Sequence, residues 1–287
     1  MNNTLVMLGN GFDLDLGWKT SYSDFYNNKK NAFDRFNGMS FIQRMIVGKH
    51  WCNLEGYIRE CILTSSKEEA NVINSFWQIC RDYIYDYLNN SHNEELVYTT
   101  KQDGCAYAFL HKLHDSSIIS FNYTDPFTKN GLEYKKISHV HGSLKDNNAY
   151  RIKIGVDSSV KEICQFSNEV DIRCIIKSNN NSKIETFFTE IKKSRNIIIY
   201  GHSLGITDSD YFKPFFKSLI EGRLQDKNIY IVTYDENSLQ DIRDNMLGYE
   251  IDFSDLLLAP NISVKIIFTA KGNNHIDFRT MIDSVPL

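Results

Sequence analysis

The chain has 287 residues, a formal net charge of −4 and 42% hydrophobic residues. That is enough apolar material for a substantial core, as one large domain or one domain carrying an insertion, and disorder is not indicated. No Lys/Arg cluster exceeds short pairs such as Lys192-Lys193, so no phosphate-backbone footprint is visible and nucleic acid is not an expected partner.

Residues 1 to 4 run straight into an apolar segment without a signal-peptide pattern, and no stretch approaches the ~20 apolar residues of a membrane span. The six cysteines, at 52, 61, 80, 105, 164 and 174, form no C-x-x-C pair and none of the paired spacings of structural zinc. A cytoplasmic chain with reduced thiols is expected, without a metal or a membrane partner.

Residues 4 to 8 are short, apolar and poorly alternating, the pattern of a central parallel strand, and Gly9 and Gly11 end it. From 21 to 90 the period becomes helical. It is clearest where Val72, Ile73, Phe76, Trp77, Cys80, Tyr83, Ile84, Tyr87 and Leu88 share one face. So long a helical stretch before the next strand predicts a helical insertion or cap over 21–115 within a single domain of 1–287. Strands are then expected near 117–121, 137–141, 151–156, 196–200, 228–234 and 262–268. Helices are expected near 183–193, 209–221 and 236–247, the last stopped by Gly248, with an Asn-rich surface loop at 178–182. This alternation predicts an α/β fold: a Rossmann-like, mainly parallel sheet flanked by helices.

Four apolar runs end in small or polar residues: Gly9-Asn10-Gly11, Phe121-Asn122-Tyr123-Thr124, His141-Gly142-Ser143 and Gly201-His202-Ser203. Ligands of open α/β sheets bind outside the carboxyl ends of the strands, so these four ends predict one nucleotide-sized crevice. The glycine loop lets backbone N–H groups approach a phosphate, although Leu14 breaks G-x-G-x-x-G and removes the main support for hydride transfer. The Asn122 carboxamide can orient a ribose hydroxyl or a water, and a neutral His141 can act as a general base.

Three rival readings attach to the same residues. His139 and His141 form an H-x-H pair that a metal could use with carboxylates from elsewhere. Gly201-His202-Ser203-Leu204-Gly205 matches a nucleophile elbow, with Asp252 or Asp255 and His275 downstream, but Ile206 to Asp210 continue it poorly as a helix. Asp208 or Ser209 reads as a helix N-cap. Glu55 reads as an exposed helix carboxylate or as a group brought to the crevice.

Taken in order, Gly9-Asn10-Gly11-Phe12-Asp13 with Gly17 and Thr20-Ser21-Tyr22, Trp51 to Glu55, Phe121 to Thr124, His141 to Ser143, and Gly201 to Gly205 with Asp208 to Phe212 resemble the AbiH family of bacterial abortive-infection proteins. More distantly, the series resembles the sirtuin-like fold. The resemblance implies an NAD-binding crevice in which Gly9, Asn10, Gly11 and Phe12, with Asp13 in the same loop, hold the pyrophosphate. Gly201, His202 and Ser203 would hold the adenosine side, and Asn122 and His141 would face the nicotinamide ribose. Thr20-Ser21-Tyr22 replaces the Asp-Phe-Arg run of sirtuin deacylases and their zinc-ribbon cysteines are absent, so hydrolysis of NAD rather than deacylation is the expectation. The resemblance further implies antiphage defence, with a phage-derived trigger and a homo-oligomer as candidate partners. A nucleotide sensor without catalysis and a serine hydrolase acting through Ser203 are the alternatives.

Overall fold

The computed structural model describes residues 4–29, 53–64, 66–113, 116–133, 137–146, 152–163, 175–177, 181–224, 226–270 and 274–287. The six strands are β1 (Thr4–Leu8), β2 (Ser117–Ser120), β3 (Ile137–His139), β4 (Asn196–Tyr200), β5 (Lys227–Thr233) and β6 (Ile262–Phe268). Between β1 and β2 the described residues form α1 (Asn10–Asp15), α2 (Tyr22–Lys29), α3 (Leu54–Thr64), α4 (Lys67–Asn89), α5 (Glu94–Val97) and α6 (Cys105–Leu110). Later come α7 (Pro126–Lys129), α8 (Val160–Ile163), α9 (Asn181–Lys193), α10 (Ser209–Ile220), α11 (Glu236–Gly248), α12 (Phe253–Leu258) and α13 (Asn274–Ser284).

All strand pairs are parallel, in the order β3-β2-β1-β4-β5-β6. The chain leaves β1 first toward β2 and later returns to place β4 on its other side, so the carboxyl ends of β1 and β4 form the switch point where such sheets bind ligands. Every residue of β1 is buried because successive side chains point to opposite covered faces. Leu5 and Met7 join the layer of α9 to α12, with Phe187, Phe212 and Leu239. Val6 and Leu8 join the opposite layer with Phe12 of α1, Phe109 of α6 and Phe278 of α13.

A third core belongs to α3 and α4, where Ile73, Phe76, Trp77, Cys80, Ile84, Tyr87 and Leu88 are buried as the helical period requires. Val72 is 37% exposed and lies outside this face. The cluster also takes in Leu144, Ile152, Ile154, Val156, Ile175 and Ile176. Residues 105–110, within the expected insertion, cover the sheet itself instead.

Three local expectations are corrected. Residues 152–156 are not a sheet strand: Val156 makes only an isolated parallel bridge to Ile176. Their backbone is satisfied elsewhere, with Gly155 N–H donating to Glu55 at 2.9 Å, Trp77 Nε1 donating to the Ile154 carbonyl at 3.1 Å and Lys153 N–H donating to the His141 carbonyl at 2.7 Å. Of the Asn-rich segment, Asn181 and Ser182 already belong to α9, while 178–180 lie outside the described residues. Gly248 is the last residue of α11, and the left-handed conformation after it falls on Glu250, at φ 67°.

At the switch point, Gly201 has φ 64°, and a Cβ there would lie 2.2 Å from the Phe12 nitrogen. Gly222 has a similar φ of 70° with nothing within 4 Å of a Cβ. Gly222→Ala is therefore expected to cost about 1–2 kcal/mol, the intrinsic left-handed penalty. Gly201→Ala should cost several kcal/mol or prevent folding, because strain and backbone overlap add. Urea denaturation of the two variants measures the difference, and equal losses would contradict the close approach.

Candidate functional site

The exit turns of β1 and β4 lock together through backbone. Gly9 N–H donates to the Tyr200 carbonyl at 2.9 Å, Gly11 N–H to the Gly201 carbonyl at 2.7 Å, and Phe12 N–H to the Gly9 carbonyl at 2.9 Å. These three amides, expected to cradle a pyrophosphate, already have protein acceptors. Any diphosphate contact from this loop falls to Asn10, which is exposed. Phe12 and Asp13 are both fully buried and lie beneath the surface of the loop.

Asn122, at the exit of β2, is 7% exposed. Its Nδ2 donates to the Gly9 carbonyl and to Asp13 Oδ1, each at 3.0 Å. Thr124 Oγ1 donates to Asp13 Oδ2 at 2.5 Å. Asn122 thus braces the glycine loop from below. Burial raises the Asp13 carboxyl to about 7, against the opposing hydrogen bonds from Thr124 and Asn122.

His141 follows β3 and is 3% exposed. Its Nε2 lies 2.9 Å from Asp208 Oδ1, and Lys177 Nζ lies 3.0 Å from the same oxygen. His202 Nε2 is 3.5 Å from Asp208 Oδ2, while its Nδ1 accepts from Leu204 N–H at 2.9 Å. Lys177 Nζ also donates to Glu55 Oε2 at 2.6 Å and Thr207 Oγ1 at 3.3 Å. Phe121 packs edge-on to both imidazoles, 5.4 Å from His141 and 4.5 Å from His202 by ring centroids.

Burial opposes ionisation of Asp208, but Lys177 and His141 outweigh it and hold the carboxyl well below its usual range. Burial likewise opposes the charge on Lys177, and Asp208 and Glu55 overcome it, so the ammonium holds its proton more tightly than usual. For His141 burial wins over Asp208 and lowers the imidazole's proton affinity. Since Asp208 is an acceptor, the neutral ring carries its proton on Nε2 and leaves Nδ1 as a base. That Nδ1 is buried and, among the described residues, has no hydrogen-bond partner; the same holds for the hydroxyls of Tyr211 and Tyr249, both of which sense the Asp208 charge.

The structure therefore gathers Gly9, Gly11, Asn122, His141, Gly201 and His202 at one sheet edge, Asn122 bonded to the glycine loop and His141 to Asp208. His139 and His141 have different partners, His139 Nδ1 lying 2.9 Å from the Asn122 carbonyl and His141 Nε2 bonding Asp208. No group of three or more His, Cys, Asp or Glu placed to hold a metal occurs among the described residues. Ser203 is exposed and its carbonyl accepts from Asn245 Nδ2 at 2.8 Å. The left-handed residues of that turn are Gly201 and Leu204, so Ser203 does not occupy a strained elbow. Asp252 caps α12 by accepting from Ser254 N–H. The side chain of His275 lies outside the described residues.

Two acidic residues have roles that the sequence left open. Asp208 stands at the N-cap of α10 but makes no side-chain cap bond there, its carboxylate being turned to Lys177 and His141. Glu55 is not an exposed helix carboxylate, because it bonds Lys177 and Gly155 N–H. Lys177 was missed entirely: nothing around Ile175-Ile176-Lys177 marks it in the sequence. A cavity of about 420 Å³ lies off this edge, lined by residues including Arg59, Ile206, Asp210, Lys213 and Tyr249. None of the sequence-predicted site residues lines it, and its cations are engaged, Arg59 with Asp157 at 2.6 Å and Lys213 with Glu250 at 2.8 Å.

Asp13 generates a pH prediction. Its folded-state proton affinity exceeds the unfolded one, so its contribution to stability is complete below about pH 4 and is lost as pH rises to about 7. Asp13→Asn keeps one acceptor for Asn122 and a donor for Thr124 while removing the titration. Compared with wild type, the variant should gain on the order of one tenfold change per pH unit from pH 5 to about pH 7, a few kcal/mol in all, and little more by pH 8.5. Urea midpoints at the two values test this, and parallel pH profiles would refute a raised Asp13.

No curated protein and no solved structure matches the chain. The model of the family Bacteriophage abortive infection AbiH matches residues 5–230, a span that runs from β1 to within β5 and includes Asn122, His141, Lys177 and Asp208. With most of its length matched, this chain belongs to the AbiH family.

Proposed function

We propose that this AbiH protein acts in abortive infection by hydrolysing NAD, or a related nucleotide, at the bond between nicotinamide and ribose. The observation that carries the reading is His141 Nδ1, a neutral base without a partner among the described residues, whose ring is oriented by the Asp208 carboxylate. In this reaction water oxygen bonds to C1′ of the ribose and the C1′–N bond breaks. Nicotinamide leaves with the bonding pair, which neutralises its cationic ring, and His141 Nδ1 takes the proton from water. Glu55 and Asp208 place two carboxylates against one ammonium, Lys177, and an excess of negative charge favours an oxocarbenium-like transition state. Asn122 serves by bracing the loop of Gly9 to Asp13 and, once freed from Asp13, by orienting a ribose hydroxyl. The Rossmann-like strand order, with its switch point at β1 and β4, supports the choice of a dinucleotide.

Because Nδ1 is shut off from bulk solvent, the reading requires the cover over His141 to part, which gives a phage-derived trigger a physical task. The sensor alternative keeps the same pocket without turnover. A serine hydrolase is disfavoured by the exposed, unstrained Ser203.

The test is made in cells and with pure protein. NAD in phage-infected bacteria expressing the wild-type chain should fall, with nicotinamide appearing in step. His141→Ala should reduce that rate by ~10²-fold or more, the usual worth of a general base, whereas Ser203→Ala should leave it near wild type. With pure protein and trigger, the rate should decline only on acidification below the ordinary histidine range, as the lowered affinity of His141 for protons dictates. Intact NAD that calorimetry shows to be bound would establish the sensor instead.

A further inference from the structure

We propose that Lys177 is a positioning residue that joins Glu55 of α3 to the Asp208–His141 pair, making the helical segment before β2 part of the catalytic machinery. The proposal rests on His141 being the base, and adds two residues and a control point to it.

The geometry is over-determined at each link. An ammonium has three N–H donors, and Lys177 Nζ has three acceptors: Glu55 Oε2 at 2.6 Å, Asp208 Oδ1 at 3.0 Å and Thr207 Oγ1 at 3.3 Å. Both oxygens of Glu55 are engaged, Oε1 by Gly155 N–H at 2.9 Å. The Lys177 side chain is 2% exposed, those of Glu55 and Asp208 12% and 11%. Lys177 itself is fixed by backbone, its N–H donating to the Val156 carbonyl at 3.0 Å. Asp208 Oδ1 receives both Lys177 and His141 Nε2, so moving the ammonium moves the oxygen that aims the imidazole.

A buried ion pair could also serve only to hold α3 against the sheet. Charge distinguishes the two roles. His141 is faced by Asp208 from the loop after β4, Tyr211 from α10, Lys177, and Glu55 from α3, while His202 lies against the other oxygen of Asp208. Among these, Lys177 disfavours a proton on His141 while Glu55 favours it. Loss of either charge therefore has an opposite effect on His141, whereas loosening α3 would act in one direction for both.

The experiment is an NMR titration of the full chain with 15N-labelled histidine, His141 being assigned by the missing signal in His141→Ala. In Lys177→Met the proton affinity of His141 should rise, and in Glu55→Gln it should fall, each by roughly threefold or more. Lys177→Arg should stay near wild type. If Lys177→Met does not fold, Glu55→Gln decides alone, because it leaves Lys177 bonded to Asp208. No movement, or movement the same way in both variants, overturns the proposal. Nicotinamide release from NAD, measured on the same samples, separates the two claims: opposite shifts without cleavage would support the Lys177 link and defeat the glycohydrolase reading.

Discussion

The interlock of two strand exits is the constraint on which the site depends. Gly201 turns back at φ 64° and offers its carbonyl to Gly11 N–H at 2.7 Å, so the loops after β1 and β4 meet backbone to backbone. Side chains at Gly9 or Gly11 would intrude as well, their Cβ atoms falling within 2.5 to 2.7 Å of residues 201 and 202. The chain after Gly201 then carries His202 and Asp208, and Asp208 meets both His202 and His141. The interlock also fills the space where a phosphate cradle would otherwise open. The glycines therefore act first as packing residues and leave recognition to what surrounds them.

Around that interlock the polar side chains divide into two buried groups with different electrostatics. Beneath the first loop, the Asp13 carboxyl has no cation beside it among the described residues and is pushed toward neutrality, satisfied by Asn122 and Thr124. Beside the second, Asp208 has Lys177 and two imidazoles and stays ionised. Two carboxyls on one sheet edge are thus driven apart by environment, a separation that acid–base chemistry uses. Asn122 and Phe121, neighbours in the chain, connect the groups: Asn122 bonds Asp13, and Phe121 packs between His141 and His202.

The segment 152–157 shows why local pattern misled. Ile152, Ile154 and Val156 alternate as a strand would, and all three are buried. The backbone groups of Lys153, Ile154 and Gly155 nevertheless pair with His141, Trp77 and Glu55 rather than with the edge strand β3, and Gly155 permits Ile175 to approach. A period of two reports alternating burial, and here burial is supplied by α4 rather than by a sheet. The same packing explains Lys177 and Glu55. A lysine after two isoleucines and a glutamate on an amphipathic helix look ordinary until partners far along the chain surround them.

By itself the sequence determined the class of fold, the positions of all six strands, beside a further one expected at 151–156 that does not join the sheet, and the residues that terminate those strands. Short apolar runs, glycine exits and helical periods are local properties, readable from neighbours. The strand order, which places the ends of β1 and β4 side by side, was decided only in three dimensions. So were the commitment of the glycine amides to protein carbonyls and the union of Glu55, Lys177, Asp208 and His141. Those outcomes depend on which groups compete for the same buried hydrogen bonds, and that competition is set by residues more than a hundred positions apart, such as Glu55 and Lys177.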